Sequence, residues 1–150
     1  MATIKVSTLS HFRGERQAAN ALGDCAVRAF ATFFDIDYDT AREWLNKYNG
    51  GRDCVRGTKA NAIGFAAENY GKLRGIEIEV KRGSGSVANF ARTVDKALVI
   101  AASHATCVMN GAIYGNDDSD RIVGTDANQK VKYYLTMKVT NINLYLKGNV

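Results

Sequence analysis

The run from Asp24 to Phe34 constrains the fold most strongly, because apolar residues lie almost all round the helix that it predicts. Only Arg28 and Thr32 interrupt the pattern. A helix that is apolar on nearly every side is buried inside a protein. Asp24 is a residue type that favours the N-cap position. The sequence therefore predicts a buried helix that begins at Asp24 and carries Cys25 in its first turn.

The rest of the chain divides into a helical part and a part rich in strands. Further helices are predicted at about 17–22, 39–48, 59–70 and 87–94, the last two capped by Thr58 and Ser86. Strands are predicted at about 4–9, 76–80, 97–102, 104–109, 112–115, 121–125, 131–140 and 142–146. Asn110-Gly111 is a strong hairpin signal. Helices followed by antiparallel strands indicate an α+β fold, and 150 residues without proline suit a single domain over 1–150.

Composition narrows the classes of partner. No apolar run approaches the roughly 18 residues of a membrane span, so no membrane association is predicted. The net charge is +5, but the basic residues are scattered. Their densest cluster is interrupted by Glu77 and Glu79, which argues against nucleic-acid binding. The polar N-terminus lacks a secretory signal pattern, so we expect a cytoplasmic protein, or a virion protein if the chain is phage-encoded.

The cysteine and histidine content excludes several kinds of site. Three cysteines without a CxxC motif do not form a disulfide framework, and with two histidines they offer no zinc-ligand spacing. No phosphate-binding loop is present. We therefore expect neither a metal nor a cofactor. The oligomeric state is not predicted.

Cys25 and His104 are the candidate nucleophile and base. Unpaired N–H groups and a positive dipole at a helix start favour a thiolate, and the N–H of Cys25 itself can stabilise an oxyanion. His104 lies at the start of a predicted strand. A thiol beside a histidine is the basis of nucleophilic catalysis by cysteine hydrolases.

The hairpin suggests a third catalytic residue. A two-residue turn at Asn110-Gly111 places His104 opposite Asp117, so that Asp117 can orient the imidazole. Asn116 is the alternative if a bulge shifts the register, and Asp118 is a further candidate. A second oxyanion donor is expected upstream of Cys25, from Asn20 or Gln17.

Four other residues receive different interpretations. Arg28, one turn after Cys25, is expected to form a structural ion pair. Cys107 is interpreted as a core residue. Cys54 is a competing nucleophile, because Arg52 and Arg56 flank it. His11 is interpreted as a surface residue.

The chain resembles papain-like proteins of tailed phages and bacteria. The string Asp24-Cys25-Ala-Val-Arg28-Ala29 is similar to their DCxxRA motif, and Asp37-Tyr38-Asp39 is similar to the DYD motif that follows it. Gly57 to Gly71 and Leu98 to Asp117 are similar to their later motifs. The resemblance spans about 20–120 and implies a papain-like fold, with N-terminal helices packed on a C-terminal antiparallel sheet. It implies that Cys25 is the nucleophile and His104 the base.

The chain departs from that family at three positions. Ser103 precedes His104 where relatives have Gly, Gly115 stands where they have Asp, and Ala19 stands where they have Gln. Two functions follow as expectations. The first is a cysteine hydrolase, either a peptidase or an amidase or isopeptidase, that acts on a protein or peptide. The second is a noncatalytic protein of the same fold, either a virion component or an inhibitor of a host enzyme. A third hypothesis, a nucleic-acid-binding domain, rests on charge alone.

Overall fold

The computed structural model describes residues 5–8, 24–102, 104–115 and 129–148. The strands are β1 (Lys5–Thr8), β2 (Ile76–Arg82), β3 (Lys96–Ile100), β4 (Ala105–Met109), β5 (Ala112–Gly115) and β6 (Tyr133–Val139). The helices are α1 (Cys25–Phe34), α2 (Tyr38–Asn46), α3 (Ala60–Leu73), α4 (Val87–Ala91) and α5 (Ile142–Gly148). A short 3-10 turn lies at Cys54–Arg56. The predicted helix at 17–22 and strand at 121–125 lie outside the described residues.

The six strands form one sheet in the order β1-β5-β4-β3-β6-β2. All neighbours are antiparallel except β1, which runs parallel to β5. Helices α1 to α3 precede most of the sheet in the chain, and the predicted α+β class with N-terminal helices is confirmed.

The two faces of the sheet pack against different helices. On one face, alternate residues of the central strands join α1 and α3 in the larger core; these are Leu98, Ile100, Ala105, Cys107 and Leu135. On the other face, the intervening residues pack against α4; these are Ala97, Val99, Val108 and Ile113. This alternation follows from the pleat of a strand, which directs successive side chains to opposite faces.

The hairpin between β4 and β5 has the predicted two-residue turn. Asn110 and Gly111 both have positive φ, 51° and 80°, as a type I′ turn requires. Met109 therefore pairs with Ala112, and the register continues to Cys107 and Tyr114. The predicted pairing of this hairpin is confirmed over these residues.

The C-terminal segment is a helix, and the prediction of a strand at 142–146 is wrong. The side chain of Asn141 accepts a hydrogen bond of 3.1 Å from the N–H of Leu144, which is the bond that an N-cap side chain makes. Strand β6 ends just before this cap, where the N–H of Thr140 donates to the carbonyl of Gly75 at 2.8 Å.

Helix α3 begins differently from the prediction, because Thr58 does not cap it. The hydroxyl of Thr58 donates to the carbonyl of Cys54 at 3.2 Å. The N–H of Lys59 donates instead to the side chain of Asn49 at 3.0 Å, so Asn49 fixes this helix start from a distant turn. The predicted cap of α4 is confirmed, since the hydroxyl of Ser86 accepts from the N–H of Asn89 at 3.2 Å.

Candidate functional site

The start of α1 rests on a buried group of three polar side chains, which we call the Asp24 cluster: Asp24, Arg28 and Tyr38. Nε of Arg28 lies 3.1 Å from Oδ1 of Asp24, one helical turn away. The hydroxyl of Tyr38, the first residue of α2, donates to Oδ2 of Asp24 at 2.8 Å. All three side chains are almost completely buried. The predicted ion pair of Arg28 is confirmed, and its partner is Asp24.

Asp24 occupies the N-cap position of α1 without making the expected cap. Its side chain accepts no hydrogen bond from the N–H groups of the first turn. The carboxylate is instead engaged by Arg28 and Tyr38, whereas its own carbonyl accepts from the N–H of Arg28 at 3.1 Å. The prediction that Asp24 is the N-cap residue is therefore confirmed, but the prediction that its side chain caps the helix is wrong. The cluster joins α2 to the start of α1, next to Cys25.

Tyr38 is the residue of this cluster that the sequence did not reveal. Its position on α2 predicts only an aromatic core residue. The available signal was the presence of a tyrosine in the Asp37-Tyr38-Asp39 motif together with Asp24 in the other motif. A buried carboxylate beside one guanidinium still has lone pairs to satisfy, and a tyrosine hydroxyl can donate to one of them.

The three cysteines differ in burial. All three are free thiols, and Cys25 is partly exposed whereas Cys54 and Cys107 are buried. Burial raises the pKa of the Cys54 thiol to about 12, and it raises the pKa of the Cys107 thiol to about 12 as well. Thiolates are the reactive form of cysteine. Of the three thiols, Cys25 is therefore the accessible one.

The competing interpretation of Cys54 is contradicted by its surroundings. Arginines that flank it in sequence were expected to favour a thiolate. The side chain is fully buried in the larger core, and its Sγ lies 3.5 Å from the carbonyl of Arg42. Desolvation outweighs the nearby positive charge. Cys107 lies in the same core, as predicted.

His104 lies between β3 and β4. Its carbonyl accepts a hydrogen bond of 2.8 Å from the N–H of Ala101, and β4 begins at the next residue, Ala105. The side chain of His104 is half-buried. Within β4, Ala105 packs on the α1 side and Val108 on the α4 side. Strand alternation therefore assigns position 104 to the α4 side, at the end of the sheet.

The remaining predicted site residues lie outside the described residues. They are the two candidates for the third catalytic residue, Asp117 and Asn116, with Asp118, and the two candidates for oxyanion donor, Asn20 and Gln17. The confirmed register of β4 and β5 relates Cys107 to Tyr114. Within the described residues, the candidate site therefore consists of Cys25, His104 and the Asp24 cluster.

One contact locates the C-terminal end of helix α1 on the sheet. Near its C-terminal end, the ring of Phe33 lies 5.6 Å from Nζ of Lys96. Lys96 pairs with Met109, the last residue of β4. The C-terminal end of α1 therefore lies over the Met109 end of β4.

Two of the cavities in the described part of the chain lie beside the helices that cover the sheet. A cavity of about 500 Å³ is lined by the C-terminal end of α1 and by charged residues that include Asp35, Arg74 and Lys96. It lies at the opposite end of the helix from Cys25. A second, more apolar cavity of about 380 Å³ lies between α3 and the sheet, and Phe65, Val80 and Ile100 contribute to its lining.

Comparisons with known protein families, with characterised proteins and with solved structures found no match. Within the described ranges, no helix is long and apolar enough to cross a membrane. Over the same ranges, no group of three or more histidine, cysteine, aspartate or glutamate side chains is arranged to hold a metal ion.

Proposed function

We propose that this protein is a papain-like cysteine hydrolase in which Cys25 is the nucleophile and His104 the general base. The observation that carries the proposal is the exposure of Cys25 together with its position at the start of α1. It is the partly exposed thiol of the three and is the first residue of a buried helix. The substrate class is a protein or peptide whose amide or isopeptide bond is cleaved.

The start of α1 favours both a thiolate and an oxyanion. The first N–H groups of a helix have no partner within the helix, and the dipole there is positive. Because the carboxylate of Asp24 is held by Arg28 and Tyr38, it does not occupy these N–H groups. Backbone donors fixed in this way stabilise negative charge on a reacting carbonyl oxygen.

The position of the C-terminal end of α1 supports a Cys25–His104 pair. The helix rises by about 12 Å from Cys25 to Phe33, and β4 extends by about 13 Å from Ala105 to Met109. Since Phe33 lies beside Lys96 at the Met109 end, the start of α1 is expected at the Ala105 end. His104 immediately precedes Ala105.

The chemistry assigned to these residues is acyl transfer. His104 takes the proton of the Cys25 thiol, and Sγ attacks the substrate carbonyl carbon. The tetrahedral intermediate collapses as His104 passes the proton to the leaving amine, which gives a thioester. Water, deprotonated by His104, then attacks the thioester and releases the acid product and the thiol. Asp117 or Asn116 is expected to orient His104, and Asn20 or Gln17 to supply a second oxyanion donor.

A noncatalytic binding protein is the second candidate, and one observation favours it. Strand alternation assigns His104 to the α4 side of the sheet, whereas α1 packs on the other side. A Cys25–His104 contact therefore has to form around the end of the sheet. If it does not form, the same fold would serve as a virion component or as an inhibitor of a host enzyme.

The test is the rate of Cys25 alkylation by iodoacetamide as a function of pH, read on the Cys25 peptide by mass spectrometry. Wild type is compared with His104→Ala, and His11→Ala is the control for loss of a histidine. We expect the midpoint of the wild-type profile to lie below about 8.5, the value of an ordinary thiol. His104→Ala should move the midpoint upward, and His11→Ala should leave it unchanged.

A wild-type profile that does not respond to His104→Ala contradicts the hydrolase and supports the binding protein. A shifted profile justifies a search for substrates with a library of peptide amides and isopeptides. Cys25→Ser is the inactive control for that search, because it keeps the size of the side chain and removes the thiol.

A further inference from the structure

Strand β2 is an edge strand of the sheet, and its sequence is unusual for an edge. In the described part of the chain, β2 pairs with β6 on one side and with no strand on the other. Its sequence, IEIEVKR, alternates apolar and charged residues. Exposed edges with unpaired N–H and C=O groups promote pairing with another chain, and charged residues commonly prevent it. In β2 the charges have both signs.

The hydrogen bonds to β6 show which residues of β2 direct their backbone groups outward. The N–H of Gly83 donates to the carbonyl of Lys132 at 2.9 Å, and the carbonyl of Gly75 accepts from Thr140 at 2.8 Å. In an antiparallel pair, alternate residues of a strand bond to the same neighbour. The odd-numbered residues of β2 therefore bond to β6. The N–H and C=O groups of the even-numbered residues point outward; these are Ile76, Ile78, Val80 and Arg82.

Charge selects one register if a second copy of β2 pairs with this edge about a two-fold axis. To form hydrogen bonds, the outward, even-numbered residues of one copy must lie opposite even-numbered residues of the other. In such a pairing one residue of β2 lies opposite its own copy, and the two-fold axis passes between these two residues. If the axis lies at Glu79 or at Lys81, that residue faces the same residue of the other copy, and two like charges are opposed. An axis at Ile78 sets Glu77 against Glu79. An axis at Val80 sets Glu79 against Lys81 of the other copy, twice, with no like charges opposed.

The charged side chains are exposed, so they can exchange a contact within one chain for these pairs between chains. Nζ of Lys81 lies 3.2 Å from Oε2 of Glu79 within one chain, and the two side chains are 54% and 50% exposed. They lie on the face of β2 that α3 does not cover, since the even-numbered Ile76 and Ile78 pack toward the larger core. Opposite charges directly across an antiparallel pair stabilise it.

The other face of the edge is apolar. Val80 is 46% exposed, and Phe65 of α3 is 50% exposed. Both side chains line the apolar cavity between α3 and the sheet. A two-fold axis at Val80 brings the Val80 side chains of two copies together and sets the two cavities side by side. Burial of apolar surface at such a contact favours association.

We propose that β2 is the dimerisation strand of this protein. Two copies pair antiparallel about Val80 through the outward backbone groups of β2, so that the two six-stranded sheets become continuous. Glu79 of each copy faces Lys81 of the other, and the exposed apolar residues Val80 and Phe65 meet on the α3 side. The proposal depends only on β2 and its neighbours and is independent of the proposed hydrolase activity.

The test is the mass in solution, measured by light scattering after size exclusion at high protein concentration. Wild type is expected near twice the chain mass of 16.3 kDa. Glu79→Lys opposes two lysines across the axis, and Lys81→Glu opposes two glutamates, so each variant alone should be monomeric. An equimolar mixture of the two variants should return to the dimer mass, because each lysine then faces a glutamate. The double variant Glu79→Lys/Lys81→Glu should also be dimeric.

Glu77→Lys is the matched control. It makes the same change of charge on the same strand, but position 77 lies opposite Gly83 in this register and the dimer should persist. Recovery of the dimer on mixing shows that the single variants are folded. A monomeric wild type overturns the proposal, and so does a dimer that survives Glu79→Lys and Lys81→Glu, since its interface would then lie elsewhere.

Discussion

The hydroxyl of Tyr38 donates a 2.8 Å hydrogen bond to Oδ2 of Asp24, and both residues are fully buried. Tyr38→Phe removes this donor from a buried carboxylate and keeps the ring. We expect it to lower the free energy of unfolding by roughly 1.5–3 kcal/mol, measured by urea denaturation. Tyr48→Phe, on a half-buried ring of the same core, is the control and should change stability by less than about 0.5 kcal/mol. Equal effects of the two variants would contradict the role of the Tyr38 hydroxyl.

Arg28 is expected to be more costly to replace than Tyr38. Arg28→Met fills a similar volume but leaves the carboxylate of Asp24 buried without its cation. Breaking such a pair from one side lowers the free energy of unfolding by about 3–5 kcal/mol. Adding Asp24→Asn to Arg28→Met should recover much of that loss, because the uncompensated charge is then removed. A double variant that is less stable than Arg28→Met would show that the ion pair is not the source of the effect.

Two glycines of α3 provide a paired test of its packing on β2. A Cβ at position 71 would lie 2.8 Å from the carbonyl oxygen of Ile76, whereas a Cβ at position 64 meets nothing within 4 Å. Alanine is favoured over glycine in a helix by about 1 kcal/mol. Gly64→Ala should therefore raise the midpoint of thermal unfolding, and Gly71→Ala should lower it. Stabilisation by both substitutions would mean that α3 lies farther from β2.

Acid should weaken the contact between α2 and the 3-10 turn. Nε of Arg42 donates to Oδ1 of Asp53 at 3.1 Å, and a second guanidinium nitrogen binds the other carboxylate oxygen. This arginine lowers the pKa of Asp53 from 3.8 to about 2. The folded protein therefore holds fewer protons than the unfolded chain in that range, and the contribution of Asp53 is lost as the pH falls from 3.8 to about 2. The stability difference between wild type and Asp53→Asn should shrink over this interval in urea titrations, and a constant difference would contradict the assignment.

The cysteines should be distinguishable by native labelling. At pH 7 brief treatment with iodoacetamide should modify Cys25 and leave Cys54 and Cys107 unmodified, because burial raises the pKa of each of the latter two to about 12. In urea all three should react. Intact-mass and peptide analysis give the result. Modification of Cys54 at a rate close to that of Cys25 in the folded protein would show that its surroundings open readily.

Local chemistry made α1 and the β4–β5 hairpin predictable. A helix that is apolar on nearly every side can only be stable in the protein core. Asn110-Gly111 adopts the positive φ values that a tight hairpin needs. By contrast, the residues of α5 alternate in a way that fits a strand as well as a short helix. In the structure the segment is a helix, and the side chain of Asn141 caps it by accepting from the N–H of Leu144.

The candidate site was predictable only in part, because its contacts are distant in sequence. The spacing of Asp24 and Arg28 on one helix face indicated an ion pair. Nothing in the local pattern indicated that Tyr38, on the next helix, would complete it. The burial that makes Cys54 inert likewise comes from packing of the 3-10 turn against α1, which its arginine-rich neighbourhood does not reveal.

The parallel pairing of β1 with β5 has a consequence for synthesis of the chain. Lys5 pairs with Ala112 and Thr8 with Gly115, so β1 has to wait for a partner that is made much later. Contacts of such long sequence separation form slowly. Strand β1 is therefore expected to stay unpaired in the nascent chain until β5 has been made, and a ribosome stalled before Ala112 should leave β1 open to proteases.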